Sequence, residues 1–174
     1  MDWRNYKKIL LPNIPSFHDI DVYEAKGDGY KALRKVIADE KWERKEVVDE
    51  VKKANIRGRG GAGFNAGLKW SFMPPKVEGV PRYLAVNGDE AEPGTMKDRR
   101  LFEYNPHTII EGAIIACYAM EMDAAYIYIR GEYADWIDMM QRAIDQAYAK
   151  GYVGKNIMGS GQNIDVNLHK GAGA

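Results

Sequence analysis

The feature that most constrains this chain is a glycine-rich stretch, residues 58–67, with the sequence GRGGAGFNAG. Five of its ten residues are glycine. Glycine loses more backbone freedom on folding than other residues, so such a run is costly unless the backbone itself has a task. Successive backbone N–H groups hold an anion such as phosphate without any side chain, and Lys69 would add a positive charge beside it. This glycine loop therefore predicts a nucleotide site.

The alternative for a glycine-rich stretch is a flexible linker. Against a linker, the stretch has no serine, contains Phe64 and passes directly into an amphipathic segment that includes Trp70. Gly58, Gly60 and Gly63 satisfy the G-x-G-x-x-G dinucleotide fingerprint, but that fingerprint needs a preceding strand and a helix is predicted there. No Gly-Lys-Ser/Thr occurs, which excludes a Walker-type loop. The remaining interpretation is an unusual glycine-rich nucleotide loop that follows a helix.

Length and composition exclude several classes of protein. The 174 residues, 45% hydrophobic and 29% charged, suit one ordinary globular domain. The 25 acidic and 25 basic residues balance, so no overall field favours nucleic acid or an anionic membrane. We expect neither a membrane-spanning segment nor a signal peptide. The single cysteine, Cys117, excludes an internal disulfide or a multi-cysteine cluster site within this chain and suits a reducing compartment.

The order of the predicted elements indicates an α/β fold. Residues 1–26 are predicted as an extended arm. Helical periodicity predicts helices from about residue 28, over 44–54, from 105 to about 122, and over 133–150. Short apolar runs predict strands over residues 83–86, 126–129 and 164–168. Strands that alternate with helices favour a parallel sheet with right-handed crossovers.

Two regions follow from this order. We predict an arm and helical lead-in over residues 1–55, and over residues 56–174 an incomplete Rossmann-like parallel sheet with flanking helices that binds the nucleotide. A three-stranded parallel sheet leaves an exposed edge, which proteins rarely leave without cover. The last strand also runs into a Gly-Ala-Gly-Ala turn that ordinarily leads onward. We therefore expect either a fragment or a subunit that another polypeptide completes.

A dense polar cluster follows the first predicted strand. Asn87, Asp89, Glu90 and Glu92 place one amide and three carboxylates within six residues. Ligands of parallel sheets bind at the carboxyl ends of strands, and carboxylates there suit ribose hydroxyls, a metal or acid–base chemistry. A solvated turn is the alternative, and a metal is disfavoured because no histidine lies nearby. We expect one site bounded by this acidic segment, by the glycine loop and by residues 171–174 at the end of the last predicted strand, with no catalytic side chain and no metal ligand.

Two motifs carry a resemblance to a known family. The patterns GRGGAGFxxGLKW over residues 58–70 and NxDExEPGTxKDR over residues 87–99 resemble the FMN- and NADH-binding subunit of respiratory complex I, NADH:quinone oxidoreductase. The sequences RGEY at 130–133 and GKNIMG at 154–159 support the resemblance. Diaphorase-type subunits of NAD-reducing hydrogenases and formate dehydrogenases share both motifs, so a subunit of that kind is the alternative.

The resemblance implies a role for each matching position. The residues that it assigns to FMN are Gly58, Arg59, Gly60, Gly61, Lys69, Asn87, Asp89 and Glu90. Those that it assigns to NADH are Phe64, Phe72 and Glu92. NADH would pass hydride to the flavin, which would send electrons to iron–sulfur clusters towards quinone. The family's 4Fe-4S cluster is also implied, but its four cysteine ligands are absent from this chain.

The resemblance also implies partners and a location. The expected partners are other subunits of the peripheral arm of complex I, including a thioredoxin-like 2Fe-2S subunit and a large iron–sulfur subunit, and the C-terminal part of the chain's own subunit. We expect no nucleic acid and no direct membrane insertion. The expected location is peripheral, on the cytoplasmic side of a bacterial inner membrane or the matrix side in a mitochondrion. A nucleotide-binding module without redox chemistry and a purely structural fragment remain alternatives.

Overall fold

A computed structural model describes residue 11, residues 16–26 and residues 28–172. Its helices are α1 Ile20–Lys26, α2 Lys31–Arg34, α3 Arg44–Lys53, α4 Ala66–Trp70, α5 Lys97–Tyr104, α6 Pro106–Ala119 and α7 Ala134–Ala149. Its strands are β1 Tyr83–Gly88, β2 Ala124–Ile129 and β3 Asp165–Lys170. A π-helical turn, Lys35–Asp39, continues α2, and a 3-10 turn, Ile157–Gly159, precedes β3. The predicted α/β class is confirmed.

The three strands form a parallel sheet in the order β1-β2-β3. Because both crossovers advance in the same direction, right-handed connections place α6 and α7 on the same face of the sheet, and these two helices contact each other. Val86, Ile127 and Leu168 form one row across that face and pack into the core. The parallel sheet predicted from the alternation of strands and helices is therefore present.

The opposite face of the sheet is open in the described part of the chain. Tyr83 and Tyr126 are 56% and 41% exposed, and their rings meet edge to face with centroids 5.5 Å apart. Tyr128 and His169, one row further along, stack with centroids 5.8 Å apart. We call the surface formed by these four residues the tyrosine face. Among the described residues, no helix packs over this face.

Helix α1 corrects the prediction of an extended arm over residues 1–26. The carboxylate of Asp19 accepts a hydrogen bond of 2.8 Å from the N–H of Asp21 and so caps the helix. Ile20 and Tyr23, three residues apart, are both buried. An acidic cap followed by apolar residues at helical spacing was the available signal. The rest of the predicted arm, residues 1–10 and 12–15, lies outside the described residues.

Helix α5 is missing from the sequence-based prediction, which begins a helix only at Asn105. Its N-terminus is capped from a distance by the carboxylate of Glu90, which accepts hydrogen bonds from the N–H groups of Asp98 at 2.6 Å and Arg99 at 3.0 Å. A cap supplied from eight residues upstream leaves no local capping pattern at the helix start. This tertiary cap explains why the helix escaped prediction.

A buried carboxylate, that of Glu111 in α6, ties the N-terminal helices to the core. It accepts hydrogen bonds from the N–H groups of Tyr30 at 3.0 Å and Leu33 at 3.1 Å, and from the hydroxyl of Tyr23 at 2.7 Å. Tyr30 precedes α2 in the left-handed conformation, with φ of 57°. Glu111 is only 7% exposed, so water cannot readily replace its carboxylate as the acceptor for these three donors. One side chain therefore positions both α1 and α2.

His107, at the start of α6, is held neutral in the same network. Burial lowers its pKa below the ordinary value of 6.5, and hydrogen bonds to Gln146 and His18 only partly oppose this. Its Nε2 lies 3.0 Å from Gln146 Oε1 and 3.2 Å from His18 O, both acceptors, so Nε2 carries the hydrogen. Its Nδ1 then accepts from the hydroxyl of Tyr30 at 3.0 Å.

Stability is therefore expected to fall in mild acid through His107. Its pKa is depressed in the folded state, so its contribution is fully present above pH 6.5 and is lost as pH falls from there through the folded value, by up to about 1.4 kcal/mol per pH unit. Urea unfolding between pH 7.5 and 5 measures this loss. His107→Gln takes up no proton there, so its stability is expected to fall less steeply. Parallel curves for the two proteins would contradict the assignment.

Candidate functional site

The glycine loop is closed at its base by backbone hydrogen bonds. The N–H of Gly58 donates to the carbonyl of Phe64, and the N–H of Ala66 donates to the carbonyl of Ile56, both at 2.8 Å. Helix α3 ends shortly before this base, so the loop is entered from a helix, as the sequence predicts. A loop pinned at both ends has a defined shape, unlike a flexible linker.

Asn65 connects the loop to α4. Its Oδ1 accepts a hydrogen bond of 2.8 Å from the N–H of Leu68, which makes it the N-cap of α4. Its Nδ2 donates at 3.0 Å to Oδ1 of Asn55, on the other side of the loop base. One amide thus caps the helix and closes the loop.

Asn65→Ala is expected to lower the free energy of unfolding by roughly 0.5–2 kcal/mol, the usual cost of losing an N-cap. Because α4 has only five residues, we also expect faster amide exchange over residues 66–70. Urea unfolding and hydrogen exchange measure the two effects. Asn65→Asp keeps a capping oxygen and serves as the control, and a loss of similar size in that variant would contradict the capping role.

The glycines of the loop have different roles. Gly61 and Gly63 have φ of 111° and 62°, a region that favours glycine. A Cβ added at Gly60 or Gly61 would meet no atom within 4 Å, so the backbone there faces open space. At Gly67 a Cβ would lie 2.3 Å from the backbone nitrogen of Lys52, because α4 packs directly on α3. The loop therefore combines an open outer edge with a tightly packed end.

A polar cavity of about 630 Å³ lies between the glycine loop and the acidic segment. Its lining residues are Arg59, Gly60, Gly61, Asn87, Glu90, Glu92, Thr95, Lys97 and Asp98. The cavity opens beyond the carboxyl end of β1, where ligands of parallel sheets bind. The structure thus places the two sequence motifs on facing walls of one cavity.

The carboxylate of Glu90 is engaged within the protein. In addition to the two N–H groups that it caps in α5, it accepts from Nε of Arg99 at 3.0 Å, and the side chain is 0% exposed. Burial by itself raises the pKa of Glu90, but the hydrogen bonds from Asp98 and Arg99 outweigh burial and lower it below 4.5. The hydroxyl of Tyr133 donates to the Glu90 carbonyl at 2.8 Å. Glu90 thus anchors the acidic segment from both its side chain and its backbone.

Asp89 contrasts with its neighbour. Its Oδ1 is buried and finds no hydrogen-bond donor among the described residues, whereas its N–H donates to Oδ1 of Asn87 at 3.0 Å. Buried polar atoms almost always have a partner, so this buried acceptor without one indicates a missing donor. A ligand that presents an O–H or N–H group would satisfy it.

Charges of both signs surround the polar cavity. The side chain of Glu92 is exposed, and its backbone forms a turn closed by the N–H of Thr95 at 3.2 Å. Lys97 pairs with Asp98 at 2.5 Å, and Arg59 lies on the opposite wall. Arg59 and Lys97 suit phosphate oxygens, whereas an exposed carboxylate such as that of Glu92 suits ribose hydroxyls.

A second cavity, of about 510 Å³, lies on the other side of the glycine loop. Lys69 and Phe64 line it together with Trp70 and with Leu84 of β1. Lys69 therefore does not stand on the wall of the polar cavity, where the sequence interpretation placed a charge next to the anion. Phe72 lines neither cavity, but its ring lies 6.2 Å from that of Phe64. The two phenylalanines are 47% and 66% exposed.

Sequence reasoning gave no role to three residues that shape the site. Arg99 and Tyr133 hold Glu90, and Lys97 lines the polar cavity. The available signal was the motif itself, which extends through the KDR sequence at residues 97–99. Tyr133 lies in the RGEY sequence after β2, and only the parallel register of β1 and β2 brings it close.

Other candidate chemistry is weak in the described part of the chain. No group of three or more His, Cys, Asp or Glu there could hold a metal ion. Cys117 is buried, and burial raises the pKa of its thiol to about 12, which makes it unreactive. Among the same residues, no helix has the length and apolar character needed to cross a membrane.

Comparison with known proteins gives consistent results. Residues 51–174 match the family described as the Nuo51 FMN-binding domain. An NADH-quinone oxidoreductase subunit of Rhizobium meliloti is 49% identical over 171 residues, 97% of this chain and 40% of that protein. The mitochondrial NADH-ubiquinone oxidoreductase 51 kDa subunit of Neurospora crassa is 46% identical over 170 residues, 95% of this chain and 34% of that protein. The chain thus spans about two fifths or less of these curated relatives.

A solved structure shares the fold. The crystal structure of an NAD+-reducing [NiFe]-hydrogenase in the air-oxidized state contains a chain that superposes with a TM-score of 0.63 and 33% sequence identity. The match covers 76% of this chain and 21% of that chain.

Proposed function

We propose that this chain, which belongs to the family described as the Nuo51 FMN-binding domain, forms the FMN- and NADH-binding part of an NADH:quinone oxidoreductase. The observation that carries the proposal is the polar cavity, whose two walls are the glycine loop and the acidic segment. Each wall comes from one of the two motifs on which the family resemblance rests. When bound, FMN supplies the chemistry, since it takes hydride from NADH and releases electrons singly to iron–sulfur clusters.

The groups around the polar cavity suit FMN. The backbone at Gly60 and Gly61 borders open space, so a flat ring or a phosphate fits against it without meeting a side chain. Asp89 is not among the residues that line the polar cavity, but its buried Oδ1, which has no donor among the described residues, suits a hydroxyl or ring N–H of the flavin. Glu90 would position the acidic segment and not bind FMN through its carboxylate, because that carboxylate already accepts hydrogen bonds from Asp98 and Arg99. The proposed FMN set is Arg59, Gly60, Gly61, Asn87, Asp89 and Glu90, together with Gly58 and Lys69, which line the second cavity and are included on the family resemblance alone.

Three residues are proposed to contact NADH. The ring centroids of Phe64 and Phe72 lie 6.2 Å apart, with an angle of 51° between the ring planes. Both rings are exposed, so either can stack on an adenine base. Glu92 is exposed on the rim of the polar cavity, where its carboxylate would accept hydrogen bonds from ribose hydroxyls. No side chain of the chain is proposed to act as a catalytic acid or base, since hydride transfer needs neither.

The proposal includes an assembly and a location. The polypeptide that corresponds to the rest of the family subunit would complete the site and hold the 4Fe-4S cluster. The further partners would be a thioredoxin-like 2Fe-2S subunit and a large iron–sulfur subunit of the complex I peripheral arm. The assembly would lie on the cytoplasmic face of a bacterial inner membrane, or on the matrix side in a mitochondrion. The names of the curated relatives as subunits of larger enzymes support this proposal.

The test is to purify the tagged chain from its native cells with the polypeptides that accompany it. We expect a yellow preparation that contains FMN and reduces ferricyanide with NADH. A colourless preparation that contains all the expected subunits but lacks NADH–ferricyanide activity would refute the proposal. NADH binding without FMN would instead favour a nucleotide-binding module without redox chemistry.

A diaphorase-type subunit of an NAD-reducing hydrogenase is the second candidate, because a hydrogenase structure shares the fold at 33% identity. The identities of 46% and 49% to NADH-quinone and NADH-ubiquinone oxidoreductase subunits favour complex I. The accompanying subunits distinguish the two, since a nickel-containing subunit would co-purify only in the hydrogenase.

Glu92→Ala is expected to weaken NADH binding by about 10- to 100-fold while leaving FMN content unchanged, because a hydrogen bond to a charged group contributes roughly 1.5–3 kcal/mol. The KM for NADH of the assembled flavoprotein measures the effect. Glu50→Ala, on an exposed part of α3, is the control. An unchanged KM in Glu92→Ala would remove Glu92 from the proposed NADH site.

A further inference from the structure

Tyr30 lies in a buried cluster of polar aromatic residues that the proposed function does not use. Tyr30 and His107 are both 0% exposed. The ring of Tyr152 stacks on that of Tyr30, with centroids 4.0 Å apart and an angle of 3° between the planes. Tyrosine and histidine are usually only partly buried, because their polar atoms favour water. Three of them in contact inside the protein therefore suggest a task for their polar groups.

The backbone of Tyr30 is a second unusual feature. Its φ of 57° lies in the left-handed region, where a bulky residue is uncommon. Such a conformation persists only where the surrounding structure imposes it, and it is concentrated at functional sites. Glu111 contributes here, because its carboxylate accepts a hydrogen bond of 3.0 Å from the Tyr30 N–H. The protein thus holds this phenol in one position at a cost in conformational energy.

The phenol of Tyr30 donates its hydrogen bond to a base. Its hydroxyl lies 3.0 Å from Nδ1 of His107, within the range in which a proton can be transferred. That nitrogen is free to accept the proton, because Nε2 carries the ring hydrogen. Burial is the main reason why the pKa of Tyr30 lies well above its ordinary value of 10. The phenol therefore keeps its proton at neutral pH, but a phenol that has lost one electron is a strong acid and releases it.

The surroundings of His107 offset part of the cost of protonating its ring. Burial lowers the pKa of His107, but hydrogen bonds to Gln146 and to the His18 carbonyl oppose this effect. The negative charges of Asp19 and Glu24 also favour the protonated ring. A proton that arrives at Nδ1 would stay there, one hydrogen bond from the oxygen that released it.

Tyr152 connects Tyr30 to the surface. Its hydroxyl accepts a hydrogen bond of 3.0 Å from the exposed Arg34 and donates one to the carboxylate of Glu24. The guanidinium of Arg34 lies 5.8 Å from the centre of the Tyr152 ring. This positive charge disfavours the loss of an electron from Tyr152, whereas the negative charge of Glu111 beside Tyr30 favours it there. The stacked rings provide the contact across which an electron can pass.

We propose that Tyr30 and His107 form a one-electron donor that reduces oxidising radicals at the protein surface through Tyr152. The electron leaves Tyr30 and converts the radical to its anion. The O–H bond of Tyr30 breaks and an N–H bond forms at Nδ1 of His107, which leaves a neutral tyrosyl radical and an imidazolium. The oxidants are small one-electron radicals, such as the carbonate or azidyl radical. This activity goes beyond the proposed function and is independent of FMN and NADH binding.

The test is pulse radiolysis of the purified chain without nucleotide, in which azidyl radicals remove single electrons from aromatic residues. We expect a tyrosyl radical, detected by electron paramagnetic resonance after freeze-quenching, that persists at least tenfold longer than any radical in Tyr30→Phe. A buried radical lasts because a second radical cannot reach it. Tyr128→Phe is the matched control, since Tyr128 also lies beside a histidine, with its ring centroid 5.8 Å from that of His169. This variant is expected to keep the lasting radical.

His107→Gln tests the proton acceptor. Glutamine can accept the hydrogen bond from Tyr30, but it is not a base. We expect the lasting radical to form at least tenfold more slowly in this variant, because the phenolic proton has no group to receive it. Isotopic labelling of the histidine nitrogens provides a second measurement. A hyperfine coupling between the radical and a labelled nitrogen, measured in Tyr128→Phe so that His169 does not contribute, is expected from the bond between Tyr30 and His107.

Several results would overturn the inference. One is a radical that decays equally fast in Tyr30→Phe and in the unmodified chain, and another is its formation at the unmodified rate in His107→Gln. The absence of a lasting tyrosyl radical in the unmodified chain would show that the cluster only packs. If Tyr30→Phe or His107→Gln fails to fold by circular dichroism, the nitrogen coupling decides, and its absence refutes the pair. Because no flavin or nucleotide is present, failure of the proposed function cannot imitate any of these outcomes.

Discussion

Gly60→Val is expected to abolish FMN retention by the assembled flavoprotein while leaving the fold intact. Gly60 is not in the left-handed region, and a Cβ there would meet no protein atom within 4 Å. The branched side chain would extend into the polar cavity and occupy ligand space. We expect flavin affinity to fall at least about 100-fold, roughly 2.7 kcal/mol. Flavin content after gel filtration and the rate of ferricyanide reduction with NADH measure the effect.

Gly112 offers a matched control for this experiment. It also lacks a positive φ, and a Cβ there likewise meets no atom within 4 Å, but it lies on α6 away from the polar cavity. Gly112→Val makes the same chemical change and is expected to retain FMN. Retained flavin in Gly60→Val, or equal loss in both variants, would show that the glycine loop does not contact the ligand.

Glu111→Ala is expected to lower the free energy of unfolding by about 3–5 kcal/mol, because it leaves the N–H groups of Tyr30 and Leu33 and the hydroxyl of Tyr23 without their acceptor. Domains of this size are typically stable by only about 5–15 kcal/mol. The loss is thus a large share of the total, and we expect α1 and α2 to detach first. Urea unfolding measures the global loss, and hydrogen exchange over residues 20–34 measures the local one.

An exposed glutamate, Glu50, is the control for the buried Glu111, because removing its carboxylate should change the free energy of unfolding much less. Glu50 of α3 is 55% exposed and has an ion pair of 3.8 Å with Lys53, an arrangement that contributes little. Glu50→Ala is expected to change stability by less than about 0.5 kcal/mol. A similar small loss in Glu111→Ala would mean that water or another acceptor replaces the carboxylate.

The sheet was predictable because its signals are local. Apolar runs such as Tyr126–Ile129 lie between helical periods, and parallel pairing follows from the alternation of the two patterns. The first two strands each extend two residues beyond the predicted bounds, to Gly88 and back to Ala124, since pairing with a neighbour continues past the apolar run. Helix α5 was not predictable in this way, because its cap comes from Glu90 in another segment.

The location of the site was predictable from the sequence, but the separate role of each residue in it was not. Both motifs could be assigned to one cavity because each lies next to an element end, and parallel topology brings such ends together. Nothing local distinguishes Glu90, whose carboxylate is fully hydrogen-bonded to Asp98 and Arg99, from Asp89, whose Oδ1 has no donor in the described part of the chain. Lys69 faces the second cavity because α4 begins at Ala66 and turns the lysine away from the acidic segment.

The anchoring of Glu90 sets a limit on protein engineering. Residues 87–95 carry the amide and carboxylates of the acidic segment, yet their shape depends on Arg99 in α5 and Tyr133 before α7. If only this segment were grafted into another parallel-sheet scaffold, Glu90 would keep its negative charge but lose its donors, and the loop would relax. The smallest unit that could be transferred with its shape intact is therefore discontinuous. It consists of residues 87–99 together with Tyr133, which follows β2.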